Sequence, residues 1–302
     1  VAKWTAADLD SQAGRTVIVT GANSGLGKAT TKAFAAAGAR VVMAVRDLTR
    51  GQQALDELSP LVDGPLELRR LDLADLASVR AFADGWDETV DVLVNNAGIM
   101  AVAEGTTADG FETQLGTNHL GHFVLTNLLL PHVADRVVTV SSGAHRMGKI
   151  DLDDLNWQRR PYSPWRAYGQ SKLANLLFTL ELQRRLRDQG SALRAMAAHP
   201  GYAATNLQSG TSSKWADRAM AVANKVIAQS DEMGALPTLF AASQDIPGGS
   251  YVGPDGPREG RGHPTLVGRT SDASDVVLAR QLWATSAELT GVDFPADPGA
   301  AT

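Results

Sequence analysis

Short apolar, β-branched runs recur along the chain, each followed by a longer stretch whose apolar positions return every three to four residues. Residues 16–19, 40–45, 66–71, 90–94, 136–140, 193–198 and 250–252 have the composition of buried strands. Segments 28–37, 49–58, 76–86, 111–130 and 167–187 carry the helical period, and Gly38 and Gly190 stop two of them. Such alternation predicts an α/β fold, a doubly wound parallel sheet with helices on both faces. Past residue 200 the alternation weakens: 214–229, 231–243 and 273–290 read as helices, Gly/Pro-rich 253–268 as loop, and 293–302 as a loose tail. Residues 1–14 read as an arm with a short helix around 6–9, and 143–164 as a long irregular polar segment. There is no internal repeat, low-complexity tract or Gly/Ser linker, so the 302 residues are expected to form a single domain with its core at 14–252 and a C-terminal loop, helix and tail at 253–302.

Composition is that of a soluble globular protein, with 44% hydrophobic and 20% charged residues. The net charge of -5 and the scattered basic residues argue against a nucleic-acid partner. With no cysteine, disulfides, thiolate nucleophiles and cysteine-bound metals are excluded. The most apolar helical run, 123–130, is short and interrupted by Asn127 and Pro131, so no membrane span is expected; the polar 1–13 has no leader-like apolar core. These features set the expectation of a cytoplasmic protein.

Between the first strand and first helix lies Thr20-Gly21-Ala22-Asn23-Ser24-Gly25-Leu26-Gly27. A strand, a glycine-rich turn and a helix open a Rossmann-type dinucleotide-binding unit. The glycines allow close approach of a pyrophosphate, and the helix N-terminus offers it free N–H groups and a positive dipole end. Gly25 and Gly27 fall where a Cβ would strike the cofactor or the first strand. The tip of the second strand then selects the cofactor. Val45 cannot accept from a ribose hydroxyl, whereas Arg46 can grip a 2′-phosphate with its planar fork, so NADP(H) is expected ahead of NAD(H). Asp47 either competes for the ribose hydroxyl or caps the next turn.

Tyr168 and Lys172 are four residues apart on a predicted helix and share a face. A tyrosine acting as general acid–base near neutral pH needs its pKa brought down from about 10, at about 1.4 kcal/mol per unit. A neighbouring ammonium and a positive nicotinamide ring are expected to supply that shift. The pair has company: Thr20-Gly21-x-x-x-Gly25-x-Gly27, Asn95-Asn96-Ala97-Gly98, Asn118, Ser142, Tyr168-x-x-x-Lys172 and Pro200-Gly201 follow in order. In that order and rough spacing the chain resembles the short-chain dehydrogenase/reductase family over about 14–252. Within it the chain looks most like the retinol-dehydrogenase-like branch, a match carried by 20–28, 141–150, 171–178 and 199–201.

The resemblance implies an NADP-dependent oxidoreductase that interconverts a carbonyl and an alcohol by hydride transfer. It implies Tyr168 as general acid/base, Lys172 lowering its pKa and holding the nicotinamide ribose, Ser142 binding the substrate oxygen, and Asn118 holding a relay water. Ser142 rather than Ser141 holds the catalytic place in the matching branch. The cofactor residues it implies are Gly21, Asn23, Ser24, Gly25, Leu26, Gly27, Arg46, Asp72, Leu73, Asn95, Ala97, Gly98, Tyr168, Lys172, Pro200, Gly201 and Thr205. Region 202–230 corresponds to a substrate lid, where Trp215, Met220, Val222, Val226 and Ile227 form either a core stripe or part of the lid. An inserted segment, 149–165, brings Trp157, Tyr162 and Trp165 to the rim of the site. A small, apolar substrate is expected, and a homo-oligomer is compatible with the sequence.

Other candidates read as bland. His119 and His122 look like a metal pair but lack a third ligand cluster, so no metal is expected. His145 and His199 flank the site and are candidates for substrate contact. A non-catalytic dinucleotide-binding sensor or scaffold would keep the glycine turn and lose the chemistry; here Asn118, Ser142, Tyr168 and Lys172 are all present. An epimerase or dehydratase of the extended branch would need a larger C-terminal domain than the hundred or so residues available.

Overall fold

The computed structural model describes residues 3–201 and 230–296. The expected lid, the helix predicted at 214–229, Thr205 and the stripe from Trp215 to Ile227 lie outside the described residues. Within them run β1 (Thr16–Thr20), β2 (Arg40–Val45), β3 (Leu66–Arg70), β4 (Val90–Asn95), β5 (Val133–Val140), β6 (Arg194–Ala198), β7 (Tyr251–Pro254) and β8 (Pro264–Leu266). They form one sheet in the order β3-β2-β1-β4-β5-β6-β7-β8, parallel throughout except for the antiparallel β7–β8 edge. Strands β1, β2 and β4 are buried along nearly their whole length because helices cover both faces, which is why they read as unbroken apolar runs.

The helices are α1 (Gly25–Ala36), α2 (Leu48–Leu58), α3 (Leu76–Asp84), α4 (Thr113–Leu115), α5 (Gly121–Leu129), α6 (Pro164–Asp188), α7 (Asp231–Ser243) and α8 (Val276–Thr290). On one face Phe34, Met43, Leu58, Met196 and Leu239 form the core beneath α1, α2 and α7. On the other, Phe82, Leu120, Phe123, Phe178 and Trp283 knit together α3, α5, α6 and α8. Side chains set several helix starts: Asp47 accepts from the Thr49 and Arg50 N–H groups, Asp75 from Ala77 and Ser78, and Asp275 from Val277 and Leu278. Helix α6 begins at Pro164, three residues before its predicted start, because proline is well suited to a first turn.

Two expectations are corrected. The 111–130 stretch is not one regular helix: α4 passes into a π-helical turn, Gly116–Leu120, before α5, and a 3₁₀ turn follows at Leu130–His132. Apolar periodicity alone does not register this change of winding. Nor is 253–268 all loop. Val252, Gly253 and Pro254 pair with Leu266, Thr265 and Pro264; Pro264 opens the edge strand, and Pro254 lies past the part of β7 that pairs with β6.

Trp283 of α8 stacks on Phe178 of α6 (5.6 Å between centroids, 10° between planes) and meets Phe123 of α5 edge-on at 4.9 Å. Trp283→Ala would leave a cavity between three helices. It is expected to cost about 3–5 kcal/mol in urea unfolding; a loss below about 1 kcal/mol would show that α8 contributes little to the core.

Candidate active site

The order of strands reverses at β1, whose neighbours are β2 on one side and β4 on the other. The crevice beyond the C-terminal ends of β1 and β4 is where such sheets bind ligands. The glycine turn occupies it. Gly21 has φ +67°, and a Cβ there would lie 3.0 Å from the Ala97 Cα; a Cβ on Gly27 would overlap the Gly21 carbonyl oxygen. Both positions therefore need glycine for β1, the turn and α1 to pack. Ser24 precedes α1 in an extended conformation and its side chain makes no cap, so the first-turn N–H groups are left to an incoming anion. Asn23, Gly25 and Leu26 are half-buried in the same turn.

Around this cradle stand the other residues implied for the cofactor. Asn95 donates to Thr126 at 2.8 Å, while its buried Oδ1 has no partner among the described residues. Ala97 and exposed Gly98 follow β4, and a Cβ on Gly98 would stand 3.2 Å from Asn118 Oδ1 and 3.4 Å from Lys172 Nζ. Asp72, half-buried after β3, spends one oxygen on the Ala74 N–H; Leu73 is buried against Gly121. Arg46 is exposed and makes no ion pair among the described residues, while Asp47 is engaged as the α2 cap. Pro200 and Gly201 form the turn after β6, with Gly201 at φ +71°. An uncapped helix start, an orphaned buried amide oxygen and a cradle that a Cβ would fill all fit a dinucleotide.

One buried network holds the crevice together. The Thr20 hydroxyl accepts from the Asn96 and Ala97 N–H groups, both at 2.9 Å, and lies 2.9 Å from His122 Nε2. His122 Nδ1 faces the Asn118 carbonyl at 3.0 Å and must carry the hydrogen, so Nε2 accepts from Thr20. Burial pushes the His122 pKa down to about 4, which keeps the ring neutral and this tautomer in place. His119 points elsewhere, its Nε2 3.0 Å from Ser286 of α8, so the two histidines do not converge.

Helix α6 presents Tyr168 and Lys172, both buried. Lys172 Nζ donates to the Val140 carbonyl at 3.0 Å and lies 5.8 Å from the centre of the Tyr168 ring. Burial pushes its ammonium down to about 8. Burial also pushes the Tyr168 phenol up, opposed by a hydrogen bond with Ser142. The downward shift expected from Lys172 is thus absent from the chain by itself, because loss of solvent dominates at a phenol this deeply enclosed.

The two serines differ: Ser141 is buried and donates to the Lys172 carbonyl at 2.8 Å, whereas half-buried Ser142 faces Tyr168. Asn118 sits in the π turn. Its Nδ2 donates to the Ile99 carbonyl and Ser171 Oγ, both at 2.9 Å, and its Oδ1 accepts from the Ile99 N–H at 2.8 Å. With both Nδ2 protons committed, the side chain fastens the loop after β4 to α6.

The rim differs from expectation. Trp157 is buried under the Arg160 guanidinium at 3.9 Å, and Tyr162 is anchored on Glu112 at 3.0 Å. Only Trp165 is exposed, edge-on to Tyr168 at 6.3 Å. His145 and His199 are likewise buried, packed against Tyr251. Exposed Met147, beside Gly169, joins the rim, and Tyr251 and Glu259 stand behind it. No spacing in the sequence marks these three, since they reach the site only through folding.

A doubly wound sheet with a glycine-turn crevice and a Ser–Tyr–Lys cluster at its open end defines a nucleotide-dependent oxidoreductase. The short chain dehydrogenase profile matches residues 15–216. Human retinol dehydrogenase 13 is 42% identical over 296 residues, covering 93% of this chain and 86% of that protein. Human retinol dehydrogenase 12 is 47% identical over 202 residues, 64% of this chain and 63% of that protein. A crystal structure of an uncharacterized protein from Mycobacterium paratuberculosis superposes with a TM-score of 0.85 at 55% identity, covering 97% and 100% of the two chains. A structure provisionally described as an NAD(P)-dependent gluconate 5-dehydrogenase from Beutenbergia cavernae, with NADP bound at low occupancy, is 30% identical over 77% of this chain and 91% of its own, with a TM-score of 0.58. The chain belongs to the short-chain dehydrogenase family, in its retinol-dehydrogenase-like branch, and is an oxidoreductase working by hydride transfer.

Burial of Lys172 has a stability consequence. Between pH about 8 and the ordinary lysine value near 10.5, the unfolded chain holds a proton that the folded chain has released, so this group makes stability rise with pH across that window. Below pH 8 the buried ammonium is a full liability. Lys172→Met leaves the Val140 carbonyl bonded by Asn175 and should melt no lower than the native chain at pH 7, without the rise between pH 8 and 10. Thermal melts across that range test this; a fall of several degrees at pH 7 would contradict it.

Proposed function

We propose that the chain is an NADP(H)-dependent oxidoreductase interconverting an apolar aldehyde or ketone with its alcohol, with Tyr168 as general acid/base. The observation that carries this reading is the Ser142–Tyr168 pair, open to solvent on the serine side and backed by buried Lys172. Gly21 to Gly27 and the α1 start would hold the pyrophosphate, Asp72 and Leu73 the adenine end, Asn95, Ala97 and Gly98 would line the cofactor, and Pro200 and Gly201 would meet the nicotinamide end. Arg46 is exposed and could meet a 2′-phosphate, Asp47 uses Oδ1 to cap α2, and the Val45 side chain offers no acceptor to a ribose hydroxyl. The bound dinucleotide supplies or receives the hydride.

Ser142 donates a hydrogen bond to the substrate oxygen and stabilises charge as it develops there. Burial keeps the Tyr168 phenol protonated in the chain alone, which suits proton donation to a carbonyl oxygen. Lys172, 5.8 Å from the centre of the phenol ring, would hold the nicotinamide ribose. Exposed Met147 and Trp165 beside Tyr168 favour an apolar substrate. The name of the related retinol dehydrogenases puts retinol and its aldehyde first among candidates.

A panel of all-trans-retinal, citral, nonanal, pyruvate and glyceraldehyde, followed by NADPH consumption and product chromatography, tests substrate class. The apolar aldehydes should be turned over and the charged acid should not. Arg46→Ala should weaken NADPH by about 1.5–3 kcal/mol while barely affecting NADH; NADH binding as tightly as NADPH to the native chain would refute the cofactor choice. Tyr168→Phe should lower kcat by about 10²–10⁴ with NADPH affinity nearly unchanged, and full activity in that variant would place the proton donor elsewhere.

A further inference from the structure

Behind Tyr168 a closed circuit of contacts links the turn after β5 to the β7–β8 hairpin. His145 Nδ1 donates to the Ser142 carbonyl at 2.8 Å. The His145 ring meets Tyr251 of β7 edge-on at 5.8 Å, and Tyr251 tilts on His199 at 5.1 Å. His199 Nδ1 accepts from the Gly201 N–H at 3.2 Å, so its hydrogen lies on Nε2, which stands 3.1 Å from Glu259 Oε2. Arg146 Nη2 donates to the same oxygen at 3.0 Å. Arg146 follows His145 in the 3₁₀ turn Gly143–Met147, which starts at Ser142, and so the circuit returns to its origin.

The hairpin loop is held in a costly conformation to make this contact. Arg258 and Glu259 both have left-handed backbones, at φ +53° and +56°, a region that side-chain-bearing residues rarely adopt. Space around the circuit is fully used. A Cβ on Gly253 would overlap His199 Nε2, and one on Gly201 would lie 2.5 Å from the Gly260 carbonyl oxygen. Burial pushes His199 down to about 4, so at neutral pH its ring packs beside Glu259 uncharged and Arg146 supplies the balancing charge.

We propose that Glu259 is a positioning residue of the active site: through Arg146 and His199 it fixes the Ser142 turn against the Pro200-Gly201 turn. Glu259 touches neither substrate nor cofactor in this role. The inference rests on the reading of Ser142 as the donor to the substrate oxygen. A misplacement of that donor by an ångström is enough to slow the reaction substantially.

The test measures kcat with NADPH and the aldehyde of the panel that the native chain reduces fastest, together with melting temperature. Glu259→Gln should lower kcat about tenfold. Glu259→Gly should do the same while melting no lower than the native chain, because glycine takes the left-handed backbone without strain. Since Glu259 acts through Ser142, the double variant Ser142→Ala/Glu259→Gln should react within about twofold of Ser142→Ala alone. A Ser142→Ala variant with native kcat would refute the reading of Ser142 itself. Slow turnover by Ser142→Ala with native kcat in both Glu259 variants would refute the positioning role, as would a double variant slowed by the full Glu259→Gln factor.

Discussion

A single hydroxyl, that of Thr20, carries the geometry of the crevice. It accepts from two backbone N–H groups just after β4 and donates to a neutral histidine on α5. The end of β1, the Asn-Asn-Ala-Gly turn and the π turn that presents Asn118 are thereby fixed to one another in a buried setting. An unmade hydrogen bond costs more there than at the surface. His122 belongs to this network as fully as the threonine does. Its ring can play the part only in one tautomer, and burial keeps it neutral so that the tautomer persists.

The two ends of the sheet are built differently. At the N-terminal ends of β1, β5 and β6, Asp135 gathers Arg15, Arg136 and Arg194, Asp91 and Asp245 pair with the first and last of these, and charge is balanced by charge. At the C-terminal ends, where the site lies, Lys172 is buried with the Val140 carbonyl as its partner, and asparagine and serine side chains are spent on backbone groups. A buried cation with no carboxylate partner among the described residues reduces stability while keeping a lysine close to the phenol. The fold tolerates this because the cores on both sheet faces are continuous and the Tyr168–Lys172 helix is covered by α8.

The β7–β8 hairpin supports the site from behind. Tyr251 belongs to the sheet, Glu259 to the loop it closes, and both reach back to histidines that follow β5 and β6. Histidines 145 and 199, near the site in sequence, are therefore structural struts in the described chain rather than groups presented to a substrate. Among the described residues the rim keeps Met147 and Trp165 exposed, while Trp157 and Tyr162 lock the inserted segment to the body.

Local patterns decided much of this protein. The strands, most helices, the glycine turn and the Tyr168–Lys172 pair were legible because strand and helix periods, helix stops and glycine requirements are properties of neighbouring residues. The cap formed by Asp47 was open in the sequence and settled by two backbone hydrogen bonds. Tertiary structure alone decided the rest. The π turn at Asn118 depends on contacts with Ile99 and Ser171, the β8 strand on pairing across a Gly/Pro-rich loop, and the direction of the Tyr168 shift on how completely folding removes water from the phenol. Glu259 reaches Arg146 across more than a hundred residues of chain. Periodicity records what a residue's neighbours in sequence require, whereas burial and long-range contact are set by segments that meet only when the sheet is complete.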